Sequence, residues 1–163
     1  MTTTLTELLT PTRTCGHRAI DWQPCPAGCP VDGRLVVKTD RKHTAYCVTE
    51  TYAAPGFAGR AFKVRKADGT TYDCLLADDR GHSTCTCPGC TYGAAEKADR
   101  RHATRFETLG CNHLDALATL VDAGALPESR TNAEADAGAT EVEDQPLPSC
   151  FDGVACSRES CPF

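Results

Sequence analysis

Apolar and polar residues alternate with a period of two along the middle of the chain, which is typical of β-strands with one buried face. The alternation is clearest in residues 60–66, where Phe62 and Val64 share one face and basic residues occupy the other. Asp68-Gly69 follows, and a second alternating stretch covers residues 71–77. Because glycine accepts a positive φ at little cost, this pattern predicts a β-hairpin with a two-residue turn at Asp68-Gly69.

Weaker patterns flank this hairpin. Residues 35–37 and 44–52 predict two earlier strands, and residues 82–87 predict a later one. Residues 15–33 are interrupted repeatedly by Pro and Gly, which favours a loop. Residues 1–14 carry only enough apolar pattern for one short helical turn.

The clearest helical pattern lies in residues 112–126. Apolar side chains recur there at the spacing i, i+3, i+4, i+7, at Leu114, Leu117, Ala118 and Val121. Asn112 is expected to cap the start of this helix. Gly124 and Pro127 are expected to end it.

The chain is therefore expected to be an α+β protein, a small zinc-stapled β-hairpin or sheet packed by one C-terminal helix, with Cys-rich, loop-like ends. Four regions are predicted. They are a Cys/Pro/Gly-rich segment (1–33), a β-rich body (34–126) with a zinc finger in 59–126, an acidic disordered linker (127–149) and a Cys-containing tail (150–163).

Charge is distributed unevenly. The formal net charge is -5. Residues 1–126 carry 15 Lys and Arg against 14 Asp and Glu, a balance of +1, whereas residues 127–163 carry 2 against 8, a balance of -6. A nearly neutral body with an acidic tail argues against strong non-specific binding to nucleic acid.

Twelve cysteines are the most distinctive feature of the composition. The N-terminal residues show neither the basic start nor the apolar run of an export signal, and no stretch has membrane-spanning length. We therefore expect a cytoplasmic protein whose thiols stay reduced. In that compartment, clustered Cys and His more often indicate a metal site than disulfides.

Two closely spaced pairs are candidate ligands for zinc. Cys85 and Cys87 are two residues apart on a predicted strand, so both sulfurs point to the same side. Cys111 and His113 are also two apart and precede the predicted helix. Three thiolates and one imidazole form a Cys₃His set, a known closed tetrahedral zinc site. The alternative is that these residues are buried free thiols and a helix-capping histidine.

The pattern Cys-x-Cys followed by Cys-x-His resembles the SWIM-type zinc finger. Here it consists of Cys85, Cys87, Cys111 and His113, with a β-hairpin before the first pair and an apolar helix after the second. The resemblance covers about residues 59–126, and this part of the chain is similar to small bacterial proteins that contain such a finger. It implies zinc binding, and an association with nucleic acids or with other proteins.

Other residues compete for the same ion. Cys90 creates a Cys87-Pro-Gly-Cys90 turn, so a set of Cys87, Cys90, Cys111 and His113 is chemically reasonable. The family pattern favours Cys85 over Cys90. His82 and His102 are spare candidates.

A looser group of cysteines lies near the two chain ends. Its members are Cys15, Cys25, Cys29, Cys150, Cys156 and Cys161, together with His17. Cys25 and Cys29, with partners from the N-terminal loop or the tail, are candidates for a second zinc site. Scattered thiols are an equally good interpretation. Cys47 and Cys74 fall inside predicted strands and are expected to lie in the core.

The function expected from these residues is zinc binding by a small, non-enzymatic module, with weak binding to DNA or RNA through basic residues. A protein–protein adaptor stabilised by structural zinc is the alternative. Catalytic zinc needs an open coordination position, which four protein ligands would fill. Neither a membrane nor a small-molecule substrate is indicated.

Overall fold

A computed structural model describes residues 4–9, 16–80, 82–92 and 109–127 of the chain. Within these ranges there are seven strands and two helices. The strands are β1 (Leu5–Leu8), β2 (Arg18–Pro24), β3 (Gly33–Thr39), β4 (His43–Thr51), β5 (Gly59–Lys66), β6 (Thr71–Ala77) and β7 (Thr84–Cys85), and the helices are α1 (Pro88–Thr91) and α2 (Asn112–Asp122).

All seven strands form one antiparallel sheet in which neighbours in sequence are neighbours in space. Such a meander needs only short connections. In the central pairs, Val48 lies opposite Val64, and Phe62 lies opposite Cys74. The expectation of an antiparallel sheet with one C-terminal helix is confirmed, and β3 to β6 confirm the four strands predicted between residues 35 and 77.

The apolar core lies between α2 and one face of the sheet, called here the inner face. Every second residue of the central strands points to it, as period-two alternation requires. The helix contributes Leu114, Leu117 and Leu120, and each of these is fully buried. The largest fully buried apolar residues of the sheet are Ile20, Trp22, Leu35, Val48, Phe62, Val64 and Leu76.

Polar contacts fix α2 to the sheet near each end. The Arg18 guanidinium lies 2.6 Å from an Asp115 carboxylate oxygen near the start of the helix. Arg80 makes a 2.7 Å ion pair with Asp122 in the last turn. Beyond the helix, Trp22 Nε1 donates a hydrogen bond to the carbonyl of Ala125 at 3.2 Å.

The expectation for the N-terminal region was wrong. Residues 15–33 contain β2, and residues 5–8 form β1 instead of a helical turn. In β2, Ile20 and Trp22 alternate with polar residues and fill the inner face, so their burial outweighs the turn-forming residues on either side. The loop predicted for residues 15–33 is therefore limited to the residues on either side of β2, mainly the β2–β3 connection.

The start of α2 differs from expectation, whereas Gly124 ends the helix as predicted. The N-cap is Cys111 rather than Asn112, and it makes no side-chain capping bond. The helix ends at Asp122 because Gly124 has a φ of 64° and its amide bonds to the Val121 carbonyl, while the Ala125 amide bonds to Leu120. This pair of bonds is a Schellman motif, which satisfies carbonyls left free at a helix end.

Two local predictions need smaller corrections. The β5–β6 hairpin has a three-residue loop, Ala67 to Gly69, in which the Lys66 amide bonds to the Thr70 carbonyl. Gly69 has a φ of 84°, so this position favours glycine, as predicted. Strand β7 covers only Thr84–Cys85, and the short helix α1 follows it where a loop was expected.

Some predictions fall outside the described residues. These are a helical piece near residues 94–101, the acidic linker beyond Pro127, and the tail 150–163. None of the helices in the described ranges has the length and apolar character needed to cross a bilayer.

Candidate metal centre

The side chains of Cys85, Cys87, Cys111 and His113 meet where β7, α1 and the start of α2 come together. One ligand atom from each lies within 4.8 Å of all the others. Zinc bonds of about 2.3 Å to sulfur and about 2.0 Å to nitrogen would place tetrahedral ligand atoms roughly 3.5–3.8 Å apart. The group therefore needs only a small contraction to surround one ion. It is the one such group of metal-binding side chains within the described ranges.

Strand pairing positions the first two cysteines. Cys85 lies opposite Cys74 in the β6–β7 pair. The next pair is joined by a 3.0 Å bond from the Thr86 amide to the Asp73 carbonyl, and the Asp73 amide bonds to Thr86 Oγ1 at 2.9 Å. Cys74 and Cys85 thus occupy a non-hydrogen-bonded pair, in which side chains approach most closely.

The other two ligands are placed by the start of α2. Cys111 has extended φ and ψ, and His113 is the second residue of the helix. One oxygen of Asp115 accepts the Leu109 amide at 2.7 Å, while its other oxygen binds Arg18. Since Arg18 is buried in the sheet, Asp115 connects the segment that carries Cys111 to the core.

Backbone amides face all three sulfurs. The Cys87 amide donates to Cys85 Sγ at 3.4 Å. The amides of Cys90 and Leu114 favour the thiolates of Cys87 and Cys111 and so oppose the other causes, which raise the pKa of both thiols. Hydrogen bonds from N–H groups stabilise the charged form of a ligand. The local backbone is therefore arranged to support thiolates.

Without a cation, however, crowding and burial keep these thiols protonated. The hydrogen bond with Cys85 and then burial raise the pKa of Cys111. Burial and then the charge of Cys111 raise the pKa of Cys87. For Cys85, the hydrogen bond with Cys111 lowers the pKa, but Cys74 and burial together raise it above its ordinary value. A divalent cation would reverse this balance and allow the thiols to ionise.

His113 is held in a form suited to metal binding. Burial first, and then the positive charges of Lys66 and Lys42, lower the pKa of His113 to about 4. The imidazole is therefore neutral at pH 7 and keeps a nitrogen lone pair. Its ring stacks on Tyr72 with centroids 4.9 Å apart and meets the edge of Tyr46 at 4.8 Å.

The nitrogens of His113 also fit a metal. Nδ1 lies 3.7 Å from Cys85 Sγ, which matches the spacing of two ligands on one zinc ion. Nε2 is buried and has no hydrogen-bond partner among the described residues. With Nδ1 on the metal, Nε2 would carry the proton of the neutral ring. The donor set, Cys₃His, suits zinc.

Of the competing residues, the structure places Cys90 and His82 outside the converging group. Cys90 is half-buried at the edge of the core and does not belong to the converging group. His82 is exposed, and its ring bonds to Asp79. His102 and Cys15 lie outside the described residues, as do the tail cysteines. The geometry thus favours Cys85 over Cys90.

The sequence did not point to the residues that surround the ligands. Cys74 is fully buried, as expected for a core position, but its sulfur also lies 3.4 Å from Cys85 Sγ. Tyr46 and Tyr72, which enclose His113, come from β4 and β6. Only knowledge of strand register would have placed these side chains at the site, because each is more than 10 residues away from any ligand it contacts.

Comparison with models of known protein families, with curated proteins and with solved structures finds no match to this chain. Arguments about function therefore depend on the site itself. The chain contains a group of three thiols and one imidazole that could hold a metal ion.

The second group of cysteines is only partly within the described residues. Cys25 and Cys29 lie on the β2–β3 connection and pack against a small cluster formed by Val31 and Cys47. His17 is exposed before the opposite end of β2, where its amide bonds to Asp40. Cys47 is 2% exposed, so its predicted burial is confirmed.

Proposed function

We propose that this chain is a zinc-binding module of the SWIM type, in which Cys85, Cys87, Cys111 and His113 hold one structural zinc ion. The observation that carries the proposal is the convergence of these four side chains within 4.8 Å. Zinc would join the β6–β7 hairpin to the start of α2, whereas the Arg18–Asp115 ion pair joins this end of the helix to β2. Structural zinc adds folding free energy of order 10 kcal/mol.

The proposed role of the metal is structural rather than catalytic. Four protein ligands complete a tetrahedron and leave no position for a water or substrate. The three cysteines and the histidine are also mostly buried, with Cys85, Cys87 and His113 each under a tenth exposed. The module would act by binding a partner, in a compartment that keeps its thiols reduced, which we propose is the cytoplasm.

The proposed partner is a nucleic acid, bound weakly beside the metal centre. Lys66 lies over the ring of Tyr72, which itself stacks on His113, so positive charge and an aromatic ring adjoin the site. Basic side chains contact phosphates, and aromatic rings stack on unpaired bases. Several other cations are already paired with carboxylates, including Lys63 with Asp73 at 3.0 Å. The number of phosphates contacted would therefore be small.

A protein partner is the second candidate. The ring of Tyr92, directly after α1, is 77% exposed and lies close to the metal centre in sequence. Exposed aromatic side chains are common at protein interfaces.

Titration with a single-stranded oligonucleotide at low salt separates the candidates. Binding that Lys66→Ala weakens supports nucleic acid, whereas no detectable binding favours the adaptor.

Metal analysis tests the metal centre. Reduced protein purified without added zinc should contain bound zinc, and exchange with Co²⁺ should give the intense absorption of tetrahedral thiolate ligation. The substitution Cys111→Ser should remove one equivalent. Folded, reduced protein with no metal at this site would contradict the proposal.

A further inference from the structure

A row of hydrogen-bond donors crosses the face of the sheet that points away from α2, called here the outer face. Strand pairing places five residues opposite one another across β2 to β6, namely Gln23, Arg34, Cys47, Arg65 and Thr71. Their neighbours along the strands, including Trp22, Leu35 and Val64, are buried on the inner face. Because side chains alternate between the two faces of a sheet, the members of this row share the outer face.

Two arginines form the centre of this row. Arg34 and Arg65 lie on either side of Cys47, so their Cα atoms are two strand spacings, or roughly 10 Å, apart. Both arginines are half-buried, and the cysteine between them is buried and has a short side chain. Both guanidinium groups can therefore reach one ligand that lies over Cys47.

No carboxylate neutralises these two arginines among the described residues. The arginine ion pairs there are made by Arg18, Arg60 and Arg80, and not by Arg34 or Arg65. In addition, Arg34 Nε is buried and has no hydrogen-bond partner among the described residues. A buried donor without an acceptor is costly, so a bound anion would remove that cost.

The carboxylates that share the outer face are already occupied. Asp21 is paired with Lys38, and Asp73 is paired with Lys63 at 3.0 Å. Both aspartates lie between inward-facing residues of β2 and β6, so they belong to the same face as the row. The centre of the outer face therefore keeps the two positive charges of its arginines.

We propose that Arg34 and Arg65 form a binding site for a phosphate group on the outer face of the sheet. A guanidinium group is a planar fork that matches the oxygens of phosphate and binds them through charge-assisted hydrogen bonds. Two such groups would hold one phosphate from opposite sides, with Gln23 and Thr71 as further donors at the ends of the row. The site uses none of the proposed zinc ligands, so it does not depend on the metal centre.

A phosphate group bound here can come from two sources, a free phosphate ion or the backbone of a nucleic acid. The row continues across five strands, a length of roughly 19 Å, which exceeds what one phosphate needs and suits an extended strand. The second source would add a contact surface to the nucleic-acid binding proposed above, and in that respect alone it rests on the proposed function.

Titration of the full-length protein with inorganic phosphate, followed by ¹⁵N–¹H NMR of the arginine Nε–H groups, tests the site. Chloride keeps the ionic strength constant. The Arg34 signal, identified by its absence from Arg34→Gln, should shift saturably. Arg65→Gln should weaken binding at least tenfold, because it removes charge-assisted hydrogen bonds. Arg65→Lys keeps the charge but not the planar fork, so it should also weaken binding, and it keeps the test valid if Arg65→Gln does not fold.

Arg80→Gln is the matched control for these variants. Arg80 is paired with Asp122 of α2 at 2.7 Å, so its replacement should leave the affinity for phosphate unchanged. The absence of a saturable shift with both inorganic phosphate and an oligonucleotide would overturn the proposal. An affinity that Arg65→Gln and Arg65→Lys leave unchanged would overturn it as well.

The same measurement with a short single-stranded oligonucleotide distinguishes the two sources. If the backbone is the ligand, the oligonucleotide should shift the Arg34 signal at a lower concentration than inorganic phosphate does. A shift with inorganic phosphate alone would assign the site to free phosphate. Oligonucleotide binding that Lys66→Ala weakens, with an Arg34 signal that neither probe moves, would overturn the outer-face site and leave the proposed function intact. A response to phosphate without oligonucleotide binding would do the reverse.

Discussion

At the scale of single residues, His113 joins the metal centre to the apolar core. Its ring is 7% exposed and packs between Tyr46 and Tyr72, while its Nδ1 faces Cys85. Burial keeps the imidazole neutral, because a buried positive charge is costly. Its proposed role as a ligand and its role in packing therefore both depend on one protonation state.

The low pKa of His113 predicts how the metal-free protein responds to acid. An unfolded histidine titrates near 6.5, and the folded one at about 4. Between these values the unfolded chain binds more protons, so stability should fall as the pH drops from 6.5 to 4. The full loss is roughly 3 kcal/mol. Urea unfolding of chelator-treated protein at several pH values measures it.

His113→Gln provides the control for this pH effect. The variant lacks the titrating ring, so the part of the pH dependence of stability that His113 contributes between pH 4 and 6.5 should disappear. An unchanged dependence of stability on pH would show that other groups cause the loss of stability.

The choice between Cys85 and Cys90 is also a residue-scale prediction. We expect Cys85→Ser to lower the affinity of the metal centre for zinc by at least 100-fold, because it removes a ligand from the converging group. Cys90→Ser should retain the metal, since Cys90 does not belong to that group. Competition with a chromophoric chelator measures both affinities. The reverse order would assign the Cys87-Pro-Gly-Cys90 turn as the true site.

At the scale of secondary-structure elements, the position of α2 decides whether the two ligand pairs meet. The Arg18–Asp115 pair lies near its start, and the Arg80–Asp122 pair lies near its end. The two pairs differ in burial. The Arg18 side chain is fully buried, whereas Arg80 and Asp122 are partly or largely exposed.

This difference predicts unequal effects of two similar substitutions. Asp115→Asn removes the carboxylate that pairs with the buried Arg18 charge and should destabilise the fold by about 3 kcal/mol. Asp122→Asn removes the same charge from the same helix but should cost less than about 1 kcal/mol, because exposed ion pairs contribute little. Chemical denaturation of the zinc-bound variants measures both. Equal losses would show that Asp115 does not fix the helix.

The elements also show why some features were predictable and others were not. Local alternation located β3 to β6, and the i, i+3, i+4 pattern located α2, since these signals arise within one segment. Strand β2 was missed because only tertiary burial of Ile20 and Trp22 reveals its inner face. The two pairs of candidate ligands were visible from their spacing in the sequence. Their neighbours Cys74 and Tyr72 required strand register, which no local pattern specifies.

At the scale of the whole molecule, charge is divided between the body and the tail. Residues 1–126 have a balance of +1, and residues 127–163 have a balance of -6. Two lysines, Lys66 at the end of β5 and Lys42 in the β3–β4 connection, are close enough to His113 to lower its pKa. An acidic segment tethered to the same body would compete with a phosphate backbone for them.

We therefore predict that neutralising the tail strengthens binding to single-stranded nucleic acid. Replacing Glu128, Glu134, Asp136, Glu141, Glu143 and Asp144 by their amides removes six negative charges and keeps every cysteine in the full-length chain. Affinity at low salt should rise several-fold, because repulsion and competition both decrease. Fluorescence anisotropy with a labelled oligonucleotide measures this, and the gain should vanish at high salt as the charges are screened.

The salt dependence supplies a second, independent measure of the same surface. If two or three phosphates are contacted, log affinity should fall against log salt with a slope of roughly -2. Lys66→Ala should make the slope shallower without releasing zinc, whereas Lys38→Ala, which removes a lysine paired with Asp21, should change it less. Exchanging the five alanines of the tail for serine, together with Val142→Thr, controls for the six substitutions. If the neutralised tail leaves affinity unchanged at low salt, the basic surface does not bind nucleic acid, and a protein partner becomes the better hypothesis.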